Sequence, residues 1–251
     1  MGRLLHFEFH KLIRQKSFYI CLAVAVAMLF VSTYTTYLIS KDVVDAAQMG
    51  ICGMEVMTGA ASGGTLVMVM GVFIPLFACE DYASGTIRNI VTRGYTRLGI
   101  FAAKLITVLL ATALMTAVCM ASGYLIGTAF AGSGTQPFDA DTVKLLLCQL
   151  AVILAEAALF YAVSSVLQKT GGAIAICLVL PMVVTILLTL ADTALAENEI
   201  ELSGYWIDRI NASLGSFDVT DKDMKKALLT APVYFLVTSV GSFLAISKKE
   251  Y

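Results

Sequence analysis

Residues 18–39 read FYICLAVAVAMLFVSTYTTYLI, with no charged side chain between Lys16 and Lys41. At a rise of ~1.5 Å per residue, a helix of that length crosses the ~30 Å hydrocarbon core of a bilayer. A secretory signal core is shorter, about 7–15 residues, so the run is expected to be an uncleaved first span. Five more apolar stretches follow, at roughly 59–79, 99–130, 143–167, 172–191 and 228–246.

The composition agrees with the pattern. Hydrophobic residues make up 59% of the 251 positions and charged ones 14%, against about 45–50% and about 25% in soluble domains. So few charges could not cover a water-facing surface, and the expected solvent is largely lipid. The net charge of −1 gives no general attraction to nucleic acid, and none is expected as a partner. The six cysteines are widely spaced without a CxxC pair, which fits small packed residues better than zinc ligands or a disulfide framework. The expected fold is an all-α, polytopic membrane protein with six transmembrane helices, forming one transmembrane domain over 1–251.

Orientation follows from the placement of lysine and arginine. Arg3, Lys11, Arg14, Lys16, Arg88, Arg93, Arg97, Lys169, Lys248 and Lys249 fall on one side of the six spans. Lys41, Arg209, Lys222, Lys225 and Lys226 fall on the other. Both termini are therefore expected in the cytoplasm.

Ahead of the first span, residues 1–17 read as an interfacial helix. Leu5, Phe9, Leu12 and Ile13 share one face, and Arg3, His6, His10 and Arg14 the opposite one. The i, i+4 spacing of His6 and His10 suits metal ligands, but no third ligand accompanies it. Segment 192–227 is expected outside the cell. It reads either as a solvated loop with a short surface helix, anchored by Tyr205, Trp206, Ile207 and Leu214, or as an outer gate.

Catalytic readings find little support. The two histidines lie outside every span, and no G-x-S-x-G elbow occurs. Gly94 and Gly99 have the spacing of P-loop glycines, but Ile100 and Phe101 stand where Lys and Ser/Thr are needed. ATP cannot be held by that device, and the chain is not expected to be an enzyme or to carry a cofactor.

Glu156, near the middle of the fourth span, is the exception among apolar residues. A charged residue there costs ~2.5–3.5 kcal/mol on insertion scales. Gln149, seven positions earlier, lies on nearly the same face. The pair reads as part of a translocation path or a subunit contact; the plainer reading is a hydrogen-bonded packing residue. Pro75 and Pro181 should bend their spans. Gly59 with Gly63, and Gly123 with Gly127, have GxxxG spacing, which favours close packing within the monomer.

Segment 80–98 carries the densest turn, cap and charge signals. Ser84, Gly85 and Thr86 supply a turn and N-cap, and Ile87, Ile90 and Val91 an apolar patch. Gly94 suits a C-terminal stop, and Thr96 can cap the next span. Arg88, Asn89 and Arg93 lie off the patch. A short two-faced helix held between two spans can dock on another protein and carry force.

With Glu80, Asp81, Gly85-Thr86-Ile87-Arg88-Asn89, Arg97 and Lys104 in place, the chain resembles the permease subunits of type 2 ABC transporters, especially small peptide-antibiotic exporters and bacteriocin self-immunity permeases. The resemblance implies that the loop is a cytoplasmic coupling helix. Glu80, Asp81, Gly85, Thr86, Arg88, Asn89 and Arg97 would then form the interface with a cytosolic P-loop ATPase. ATP and Mg would be held in that partner. It also implies a second permease copy or similar permease, and a bacterial cell membrane. The rival reading is a self-standing secondary transporter or small channel using Glu156.

Overall fold

The computed structural model describes residues 2–43, 51–92, 94–132, 139–194, 203–215 and 221–247. In chain order the helices are α1 (Gly2–Arg14), α2 (Lys16–Val43), α3 (Gly53–Ser62), α4 (Gly64–Ala83), α5 (Thr86–Thr92) and α6 (Arg97–Ala131). They continue as α7 (Ala140–Leu167), α8 (Thr170–Ala194), a 3-10 turn (Ser203–Tyr205), α9 (Ile207–Ser213) and α10 (Asp221–Ser247). Six of them, α2, α4, α6, α7, α8 and α10, are long and apolar enough to cross a membrane. The protein is an all-α polytopic membrane protein.

Helix α4 runs through the centre, packed by α2, α7 and α8. Its Phe73, Ile74, Phe77 and Ala78 are fully buried. The outer helices show the opposite pattern: Val31 is 61%, Leu187 60% and Leu229 73% exposed. Large apolar side chains on the outside are stable only against lipid or another apolar surface.

Many hydroxyls inside the spans satisfy themselves by donating one turn back. Thr107 donates to the Ala103 carbonyl, Thr116 to Thr112 and Ser164 to Phe160. Each side chain thereby avoids an unpaired polar group in a medium without water. Pro75, Pro181 and also Pro232 lie inside continuous helices.

One expected span differs. The stretch 59–79 is not a single helix: the backbone turns extended at Gly63 (φ −70°, ψ 138°) and separates α3 from α4. A Cβ at Gly63 would stand 2.8 Å from the Gly59 carbonyl oxygen, whereas one at Gly59 would meet nothing within 4 Å. The Gly59/Gly63 spacing therefore marks a break and not a packing seam.

Gly123 and Gly127 do form a seam, within the monomer. A Cβ at Gly127 would lie 2.8 Å from the Cα of Gly53, and one at Gly123 3.0 Å from the Val56 carbonyl. Helix α3 is thus pressed against the C-terminal half of α6, where the Gly53 amide also donates to the Gly132 carbonyl at 3.0 Å.

The expected outer segment is less solvated than its charges suggest. Trp206, Ile207, Ile210 and Leu214 are buried in a cluster with Val152 and Ala155 of α7 and Ala227 and Ala231 of α10. Tyr205 remains 60% exposed. Helix α9 is a wedge in the bundle end, not a loose surface element.

Candidate functional site

Where α4 ends and α6 begins, the chain builds a charged knot beneath a short helix. Asp81, 3% exposed in the last turn of α4, accepts from the Lys11 ammonium of α1 at 2.5 Å. Its other oxygen accepts from Lys104 of α6, itself 1% exposed. Glu80 lies beside them: its Oε2 is 3.2 Å from Lys11 Nζ and accepts from the Gln15 amide at 3.1 Å. Three helices distant in sequence are therefore tied at one carboxylate.

Glu8 completes the knot from the inner face of α1. It is fully buried, and neither carboxyl oxygen has a hydrogen-bond partner among the described residues. Burial pushes its pKa up; Lys104 and Lys11 oppose the shift and Asp81 adds to it. For Lys11, burial disfavours the charge, but Asp81 and Glu80 outweigh it and raise the pKa.

Helix α1 consequently has three faces. Leu4, Glu8 and Leu12, at i, i+4 and i+8, turn into the bundle. Phe9 and Ile13 stay exposed as an apolar stripe, and His6, His10, Arg3 and Arg14 are exposed beyond it. The rings of His6 and His10 stack with centroids 6.4 Å apart. Among the described residues no group of three or more His, Cys, Asp or Glu side chains could hold a metal.

Helix α5 sits directly on this base. The Ser84 amide donates to the Glu80 carbonyl at 2.9 Å, and Gly85 takes φ +68°, which reverses the chain. The Ser84 and Thr86 hydroxyls share a 2.8 Å hydrogen bond. Ile87 and Ile90 are buried, and Ile90 packs with Leu4 of α1 and Ile100 and Ala103 of α6. Gly94 takes φ +84°, and the Thr96 hydroxyl accepts from the Gly99 amide at 3.2 Å to cap α6.

Of the residues singled out in 80–98, Glu80, Asp81, Gly85 and Thr86 thus surround one turn. Arg88 and Asn89 belong to α5 and Arg97 opens α6, but their side chains, with those of Val91 and Arg93, lie outside the described residues. Asp81 faces inward. Glu80 keeps half of its side chain exposed. Sequence reasoning missed Glu8 as a participant; the signal was a glutamate at i+4 between Leu4 and Leu12.

Gln149 and Glu156 both lie on the buried side of α7. The Gln149 amide donates to the Thr58 carbonyl of α3 at 3.1 Å and to the Leu214 carbonyl after α9 at 3.0 Å. It ties two non-spanning helices to a spanning one. Glu156 is 1% exposed, with both oxygens unpartnered among the described residues. Asp208 of α9 is near enough to act on it electrostatically and accepts from the Thr185 hydroxyl at 3.3 Å.

Six apolar helices, hydroxyls turned onto their own backbones and a charged knot at one bundle end define a helical membrane protein. The family described as ABC-2 family transporter protein matches residues 4–192, from the first turn of α1 to the last turns of α8. The chain belongs to that family and is a membrane permease subunit of the ABC-2 type, a non-catalytic component of its transporter. Among curated proteins none matches the chain.

Proposed function

We propose that this permease works with a separate cytosolic P-loop ATPase, which holds ATP and Mg, and that α5 is the coupling helix on which that ATPase docks. The observation that carries the reading is the mounting of α5. Glycines with positive φ stand at both ends, at Gly85 and Gly94, and its apolar face rests on α1 and α6. Directly below, Asp81 joins α4, α1 and α6. Force applied to the outer face of such a helix reaches two spanning helices and α1 together.

On this reading Glu80, Thr86, Arg88, Asn89 and Arg97 meet the ATPase, Gly85 aims the helix, and Asp81 positions it from within. Helix α1 lies in the cytoplasmic interface of a bacterial cell membrane, with its exposed Phe9 and Ile13 toward lipid. Both termini are cytoplasmic. A second permease copy or a similar permease covers part of the exposed apolar surface. The resemblance to peptide-antibiotic and bacteriocin systems supports export of an amphipathic peptide as the cargo. Gln149 and Glu156 would act at the translocation path or a subunit contact, Gln149 by tying α3 and the end of α9 to α7 and Glu156 by its carboxyl, unpartnered among the described residues, on the same side of α7. The unpartnered Glu156 favours one rival, a self-standing secondary transporter that uses this carboxyl as a proton site.

The test is co-purification with the candidate ATPase and ATP turnover in reconstituted membranes. Ile90→Pro breaks α5 at its packed face and is expected to abolish both association and cargo-stimulated turnover in chains that insert normally. Full association and turnover in such chains would remove α5 as the coupling element. Transport driven by a proton gradient without any ATPase would favour the rival.

A further inference from the structure

At the bundle end opposite α1, helix α2 packs on α4 and α6, and a cavity of about 230 Å³, open to the surface, lies between it and α3. Its polar wall consists of the hydroxyls of Ser32, Thr33, Thr36 and Thr65 and the carboxyl of Glu55. The Thr33 hydroxyl donates to the Leu29 carbonyl at 2.9 Å and the Thr36 hydroxyl to Ser32 at 3.0 Å. Their donors are thus engaged, and what they offer the cavity is oxygen lone pairs.

Glu55 lines the same space. One of its oxygens accepts from the Cys52 amide at 3.3 Å and caps α3. An ionised carboxylate has about four acceptor positions, so capping leaves it free to accept more. None of the described lining residues is basic, and Leu29, Val56 and Leu66 supply an apolar wall. A site with one carboxylate, hydroxyl oxygens able to accept and an apolar wall favours an organic cation with N–H donors and a hydrocarbon portion.

The geometry points to a binding site for the ammonium head of an amphiphilic amine in the cavity between α2 and α3, with Glu55 as its counter-ion. The site needs no nucleotide and does not rest on the coupling role of α5. Its volume admits the charged head and the first methylenes, and the rest of the chain leaves through the opening along α2.

Tritiated n-decylamine, binding to the purified chain in phosphatidylcholine nanodiscs at neutral pH, tests the site. Saturable binding is expected, weakened roughly tenfold or more in Glu55→Gln, where the charge is gone but the amide oxygen still caps Cys52. Gly59→Leu should abolish it, because a side chain there meets nothing within 4 Å and enters the lined space. n-Decanol should compete poorly. Equal competition by decanol, displacement by sodium chloride alone, or undiminished binding in both variants would overturn the assignment. Suppression by added phosphatidylethanolamine would identify the head as that of a bilayer lipid; persistence would identify a free amine. Either outcome keeps the site.

Discussion

Asp81 shows how a buried charge holds helices together while contributing little net stability as a pair. Desolvation and attraction nearly cancel for such pairs, yet removing one partner leaves a bare charge and costs about 3–5 kcal/mol. Asp81→Asn strands Lys104, whose side chain is 2% exposed, and should sharply lower the thermal midpoint and the yield of inserted protein. Adding Lys104→Met should restore most of the loss; a double variant no better than the single one would refute this account. Glu8 gives a second, pH-dependent test. Its pKa is raised above the ordinary 4.5 by burial, so the folded state favours the protonated form. That contribution is full below the unfolded pKa and is lost as pH rises through the folded one. As pH rises above the ordinary carboxyl value of 4.5, thermal midpoints should therefore fall more steeply for the native chain than for Glu8→Gln, which cannot ionise. Parallel curves would show that Glu8 does not titrate in this range.

At the scale of the element, glycine decides where helices stop and where they touch. Gly85 holds φ +68°, a conformation that costs other residues roughly 1–2 kcal/mol. Gly85→Ala should re-aim α5 and reduce ATPase co-purification, while Gly171→Ala, in open space at negative φ, should leave it intact. Equal loss in both would dismiss the turn. Gly127→Val is expected to push α3 off α6, since even a Cβ there stands 2.8 Å from Gly53; such overpacking costs about 1–3 kcal/mol, readable as a lower thermal midpoint. The sequence announced the turn at Gly85, the stop at Gly94 and the Thr96 cap because each is a local signal. It did not separate the two GxxxG spacings. Gly123 and Gly127 face α3, whereas Gly63 interrupts its own helix, and only the approach of another segment distinguishes them. The apolar face of α9 was legible in Trp206, Ile207 and Leu214, which mark an anchor in the sequence; its partners, α7 and α10 in place of the membrane interface, were not, because no local signal names the helices it meets.

For the whole molecule, six spans were legible because a bilayer demands the same apolar length each time. The knot at Asp81 was not, because it joins Lys11, 70 positions away, to Lys104, 23 positions away, and no periodicity records such a meeting. What these contacts fix is that α1, α5 and the Asp81 knot share one bundle end, while the start of α7 follows the opposite end of α6. In the proposed orientation the first end, with its excess of lysine and arginine, faces the cytoplasm, as the positive-inside rule favours. A cysteine introduced at Ser84 should therefore react with a membrane-impermeant maleimide only after permeabilisation. One at Asp141, whose side chain is 76% exposed, should react in intact cells. The unsubstituted chain supplies the background, since Cys52, Cys79, Cys119 and Cys177 are buried. Asp141 serves well because among the described residues it pairs with Lys144 in an exposed ion pair, worth about 0–1 kcal/mol, so its loss should not disturb insertion. Labelling at Ser84 from outside, with protection at Asp141, would invert the orientation and remove α5 from reach of any cytosolic ATPase.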